Sequence, residues 1–190
     1  MKRRFIMKKI LAQITMLVLL CVITFSLIGC GGGENTASEP TNASSTSASL
    51  VEVTSAEGIS LKIPSEWVLQ DNGVYIDKNT GENVAFSVVD ATGNQISNYT
   101  EETISNSYQG TYEKVAVKSF ENGLRINGKE ALKTQVNLTS DNKDYTLILV
   151  IVTDDTKNYL INFTCESGNT EGLMANTNNL QTCIDSITIE

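Results

Sequence analysis

Tyr145-Thr146-Leu147-Ile148-Leu149-Val150-Ile151-Val152 is the most apolar stretch of the chain beyond its first thirty residues. Eight residues of this kind, bounded by turn signals, read as a central strand covered on both faces. The turn signals make its neighbours antiparallel. Upstream, Asp141-Asn142-Lys143 turns the chain back to residues 131–139, where Leu132, Thr134, Val136 and Leu138 fall on one face. Downstream, residues 154–158 turn it into Tyr159-Leu160-Ile161-Asn162-Phe163-Thr164. Further out, Asn127-Gly128 lies between Leu124-Arg125-Ile126 and residues 130–138, a strong two-residue hairpin signal. Residues 115–120 predict one more strand.

The first half of the chain is read in the same way. Residues 50–53 alternate weakly and open a strand, and Ala56-Glu57-Gly58 turns. In Gly58-Ile59-Ser60-Leu61-Lys62-Ile63-Pro64 the apolar residues Ile59, Leu61 and Ile63 face one way and Ser60 and Lys62 the other, until Pro64 stops the strand. Trp67 follows and is expected in the core, pinning the corner. Residues 68–70 and 74–77 flank Asp71-Asn72-Gly73 as a hairpin. After Lys78-Asn79-Thr80-Gly81, residues 84–89 predict a strand. Tyr99-Thr100-Glu101-Glu102-Thr103-Ile104 opens a helix: Thr100 caps it, Glu101 and Glu102 suit its positive end, and Tyr99 staples against Ile104. Ile104, Tyr108 and Tyr112 continue one face at helical spacing. A second helix is predicted over residues 171–184, with Leu173, Leu180 and Ile184 on one face. The chain then ends in a last turn or a short extended tail. Many strands with short turns, one helix in mid-chain and one at the end make an α+β domain built on an antiparallel sheet.

The first thirty residues have a different logic. Lys2, Arg3, Arg4, Lys8 and Lys9 precede a nearly continuous apolar run over residues 10–28. That is the layout of a secretory signal peptide. Its end, Leu27-Ile28-Gly29-Cys30, is similar to a bacterial lipobox. The likeness implies a diacylglycerol on the Cys30 sulfur and cleavage between Gly29 and Cys30. An uncleaved transmembrane anchor is the rival reading, since the run is long enough to span a bilayer. Both readings put the domain on the extracytoplasmic face of a membrane. Residues 31–49, GGGENTASEPTNASSTSAS, carry no large apolar side chain and are expected to be a flexible tether with a reach of roughly 25 Å. The expected organisation is therefore a signal peptide over residues 1–29, a lipidated Cys30 with its tether over 30–49, and a folded domain over 50–190.

The segment Gly58-Ile59-Ser60-Leu61-Lys62-Ile63-Pro64-Ser65-Glu66-Trp67 resembles the opening strand and corner of the family of the photosystem II extrinsic protein PsbP and its bacterial relatives. The order of elements after it is also similar. The resemblance spans roughly residues 51–190, although only these ten residues are motif-like. It implies a Mog1p/PsbP-like α/β/α sandwich, an antiparallel sheet flanked by helices. It implies a binding or assembly role with no enzyme chemistry; no cofactor is expected. A fold carries no function by itself, and no residue role is transferred.

Charge and residue types narrow the chemistry. Without the first 29 residues, nine bases face 22 acids, a net charge of −13. Such a chain is a poor partner for nucleic acid and does not adsorb to anionic lipid by charge alone. There is no histidine, so the usual general base and commonest metal ligand are missing. Of the four cysteines, Cys21 leaves with the signal. Cys165 and Cys183 are expected to form a disulfide stapling the last helix to the sheet, worth roughly 3 kcal/mol, with free thiols as the alternative. No Cys-x-x-Cys suggests redox catalysis. The acids Asp141/Asp144 and Asp154/Asp155 are paired in turns without the regular ladder of a calcium loop and are expected to be solvated. No catalytic or metal-binding residue is assigned. The expected function is a non-enzymatic lipoprotein, anchored through Cys30, that contacts an envelope protein or a cell-wall component. A solute- or small-ligand-binding lipoprotein is the alternative, and a carboxylate-dependent hydrolase comes third.

Overall fold

A computed structural model describes residues 49–154 and 156–190. The strands are β1 (Leu50–Thr54), β2 (Ile59–Pro64), β3 (Val68–Leu69), β4 (Tyr75–Ile76), β5 (Asn83–Asp90), β6 (Lys114–Ile126), β7 (Lys129–Ser140), β8 (Lys143–Thr153), β9 (Lys157–Glu166) and β10 (Thr188–Ile189). The α-helices are α1 (Glu101–Tyr108) and α2 (Thr177–Asp185), with a 3-10 turn at Ile96–Asn98. Seven strands form one antiparallel sheet in the order β3-β4-β5-β9-β8-β7-β6. The remaining three form a second antiparallel sheet, β1-β2-β10.

The apolar stretch that predicts a central strand is β8, hydrogen-bonded between β7 and β9. Side chains alternate across a sheet, and both faces of β8 are covered. Leu147, Leu149 and Ile151 join Leu132, Val136 and Leu138 of β7 under Ile104 and Tyr108 of α1. Val150 and Val152 face the other way, with Ile161 and Phe163 of β9, onto Leu180 and Ile184 of α2 and Ile59, Leu61 and Ile63 of β2. Trp67 is buried in that second layer, as expected. Ser60, expected to face outward, is also buried, with its hydroxyl 2.7 Å from that of Thr54. The fold is thus α+β, with an antiparallel sheet flanked by helices. On one face the covering layer is α2 together with a small sheet rather than helix alone.

Local chemistry sets the boundaries. Thr100 caps α1: its hydroxyl accepts from the Thr103 amide at 3.1 Å, and the Thr103 hydroxyl accepts from the Thr100 amide at 2.8 Å. Asn127 (φ 47°) and Gly128 (φ 82°) make the expected tight hairpin, and Asp141 (φ 52°) with Asn142 (φ 60°) makes a second one. Two element boundaries differ from the sequence expectation. The segments 115–120 and 124–126 are one strand, β6, interrupted by two register shifts. The last helix starts at Thr177, not at residue 171, because Asn176 caps it through the Asn179 amide at 3.1 Å, while Gly172 upstream sits at φ 97°. Of the two alternatives for the chain end, the short extended tail is the one found: it is a strand, β10, which pairs Ile189 with Ile59.

Candidate functional site

The Gly29–Cys30 junction, the signal and nearly all of the tether lie outside the described residues. Cys165 and Cys183 are both buried, and both are free thiols; the expected disulfide is absent. Burial, reinforced for Cys165 by the Glu82 carboxylate, pushes each thiol up to about 11. Thiol–disulfide exchange runs through the thiolate, which this apolar setting suppresses. Asp141 and Asp144 are exposed on the β7–β8 hairpin. Asp154 ties its own turn together, accepting from the Thr156 and Lys157 amides at 2.7 Å each and from the Tyr159 hydroxyl at 2.9 Å. Asp155 lies outside the described residues.

Glu82 is the fully buried acid that sequence reading missed. Its Oε2 accepts from the Leu173 amide at 2.6 Å and its Oε1 from the Met174 amide at 3.1 Å. Desolvation raises its pKa and those two amides pull it back. A Cβ on Gly172 would collide with this carboxylate. Glu82 therefore works as a brace between the start of β5 and the segment leading into α2. Both oxygens are committed to the backbone, an arrangement suited to holding a loop rather than moving a proton. Among the described residues, no three His, Cys, Asp or Glu side chains converge as a metal would need.

The candidate binding feature lies at the opposite end of the large sheet from β6. The Asn72-Gly73 turn is closed by the Gln70 amide on the Val74 carbonyl at 2.8 Å, and Gly73 takes φ 81°. It delays β4 until Tyr75 and leaves that strand two residues long, whereas β5 runs for eight. The result is a groove of about 590 Å³ along the outer edge of β5, overhung by the turn at residues 54–57. Leu69, Val74, Tyr75, Phe86 and Val88 give it apolar walls. Tyr75 and Phe86 meet edge to face with ring centroids 6.3 Å apart. Leu69 is 54% exposed and its neighbour Val68 41%, an unusual showing of apolar surface for this chain. Among the described residues, two carboxylates, Glu57 and Asp90, line the groove, and no basic side chain does. The Thr92 amide and hydroxyl hold Asp90 below the usual carboxylate range, so it stays ionised. The one sequence signal for this groove is a mismatch of length: residues 84–89 predict a longer strand than the hairpin 68–77 can cover.

No family model matches the chain, and no curated protein matches it in sequence. Solved structures do match. The chain is similar to the cyanobacterial PsbP protein, CyanoP, of Synechocystis sp. PCC 6803, at 14% identity and TM-score 0.52, over 86% of this chain and 99% of that one. It is also similar to PA94 of Pseudomonas aeruginosa, a protein of unknown function, at 12% identity and TM-score 0.50, over 74% and 97%. LpqN of Mycobacterium tuberculosis, involved in cell envelope biogenesis, aligns at 12% identity and TM-score 0.44, over 74% and 90%. At these identities the likeness is one of fold, and the fold is PsbP-like.

Proposed function

We propose that the protein is an extracytoplasmic lipoprotein, processed between Gly29 and Cys30 and held on the membrane by lipid on Cys30, whose PsbP-like domain binds another component of the cell envelope without catalysis. The sequence supports the anchor and tether. The observation that carries the binding reading is the β5 groove: apolar walls, exposed Leu69 and a strand edge left open beside them. Contiguous apolar surface of this sort marks interaction sites. Proximity labelling by the full-length, anchored protein in its own cells tests the reading. Reproducible enrichment of an envelope protein or of wall-linked material, over a control carrying only residues 1–49, is the expected result. Enrichment no different from that control sinks it.

A second reading has its own observation. A groove of about 590 Å³ is of a size that holds small ligands, which keeps a solute-binding role in view. Equilibrium dialysis against a membrane-permeant hydrophobic dye panel separates the two: saturable binding displaced by small solutes favours the ligand, and unsaturable partitioning favours the protein surface.

A further inference from the structure

Six consecutive residues, 85–90, line the β5 groove. Successive side chains of a strand point to opposite faces, so a groove confined to one face touches only every second residue. This one follows the strand's edge. Its backbone groups can be assigned. At the start of β5, the Asp77 amide donates to the Glu82 carbonyl at 2.8 Å; beyond its end, the Ala91 amide donates to the Thr156 carbonyl at 2.9 Å. Alternation between these fixed points turns the amides and carbonyls of Ala85, Ser87 and Val89 toward β9. Those of Val84, Phe86 and Val88 turn toward the β4 side. There β4 meets only Asn83 and Val84. Phe86 and Val88 therefore present N–H and C=O groups with no strand partner among the described residues. The open edge is closed at its far end, where the Asp90 carbonyl accepts from the Asn94 side-chain amide at 2.9 Å.

The other long edge of the sheet is treated differently. β6 carries two register shifts and exposes Lys114, Lys118, Glu121 and Arg125, devices that discourage edge-to-edge pairing. On β5, Phe86-Ser87-Val88-Val89 has neither bulge nor charge. Resting on the binding reading above, we infer that this edge takes an extended segment of a partner protein as an added antiparallel strand in line with β4. The segment spans about five residues opposite 85–89 at strand spacing. On one face its side chains meet Leu69, Tyr75, Phe86 and Val88, which selects apolar residues at alternate positions. On the other face they meet Ala85 and Ser87, which tolerate polar ones. Glu57 and Asp90 select a lysine or arginine at the segment's end. This is strand addition, in which main-chain pairing supplies affinity and alternate pockets supply specificity.

The test uses the full-length protein and the acetylated, amidated peptide Lys-Val-Thr-Val-Thr-Val-Lys. Hydrogen exchange at the Phe86 and Val88 amides is expected to slow at least tenfold when the peptide is added, while exchange along β6 stays unchanged. N-methylating the peptide at alternate amides in one register is expected to weaken binding at least tenfold, and in the other register to leave it intact. Leu69→Ser, at an exposed position, is expected to lower affinity several-fold without moving the thermal unfolding midpoint. Absence of peptide binding, or binding indifferent to both N-methylation registers, overturns the inference. So does protection of the two amides before peptide is added, whether this chain or a second copy of it occupies the edge. A photocrosslinker at position 88 of the anchored protein, compared with one at position 118 on β6, separates this inference from the broader reading. Capture only from 118 removes strand addition and leaves envelope binding standing; capture from neither removes both.

Discussion

Asp154 shows how a short turn acquires a pH dependence. Burial pushes its carboxyl upward, but the Thr156 and Lys157 amides, with the Tyr159 and Thr156 hydroxyls, outweigh that and take it down to about 2. A carboxyl held below its unfolded value of 3.8 stabilises the fold fully above about pH 4, and that contribution is lost as the pH falls toward 2. Asp154→Asn should therefore be destabilised by about 1 kcal/mol at pH 6, with the gap to the parent closing by pH 2 in urea titrations. Gly172 matters for a different reason. At φ 97° and against the buried Glu82 carboxylate it has no room for a side chain. Gly172→Ala should cost about 2–4 kcal/mol, from backbone strain and collision together, read as a lowered urea midpoint. The two buried cysteines should be inert to a thiol reagent in the native state and react together on unfolding. Fast native labelling of either one, or its absence after denaturation without reductant, would contradict the free buried thiols. Neither Glu82 nor Gly172 stood out in the sequence, because a lone acid and a lone glycine give no sign of the segment ninety residues away that they serve.

At the scale of elements, patterning was legible where one face of a strand is apolar and its ends carry turn chemistry. β7, β8 and β9 are of this kind, as are the Asn127-Gly128 hairpin and the Thr100 cap. Where an element depends on a distant partner, the sequence left the choice open between a turn and an extended tail. β10 is two residues long and has no pattern of its own. It exists because β2 offers an edge, to which the Asn127 side-chain amide adds a bond to the Ile187 carbonyl at 2.6 Å. Removing residues 188–190 should uncover one side of β2 and lower the thermal midpoint by several degrees for a loss of about 1–2 kcal/mol. It should leave the peptide affinity of the β5 edge unchanged. The continuity of β6 was hidden for a related reason: a bulge breaks the period-two pattern locally, so one strand reads as two.

The described residues make three layers, α1 over one face of the seven-stranded sheet and α2 with the small sheet over the other. Function enters at this scale through two separate features, a domain with an open strand edge and the anchor proposed to carry it. The anchor is tested by intact mass of protein extracted from membranes. The expected mass corresponds to a chain beginning at Cys30 with added acyl groups, and Cys30→Ser should keep the precursor uncleaved and unlipidated. A full-length, unmodified chain in the membrane would transfer the proposal to a transmembrane anchor and leave the domain as described.

Local chemistry governs the antiparallel α+β class, the central place of residues 145–152, the caps and tight turns, and the lack of histidine chemistry, and all of these are legible in the order of residues. These follow from side-chain period, turn propensity and composition, which act over a few residues. Tertiary structure decided the Glu82 brace, the pairing of β10 with β2, and the open edge of β5. Each depends on how far apart in space two segments come to rest. The groove in particular exists because the turn at Asn72-Gly73 delays β4 until Tyr75, which leaves most of β5 uncovered, and the unmatched length becomes visible only once the two strands lie side by side.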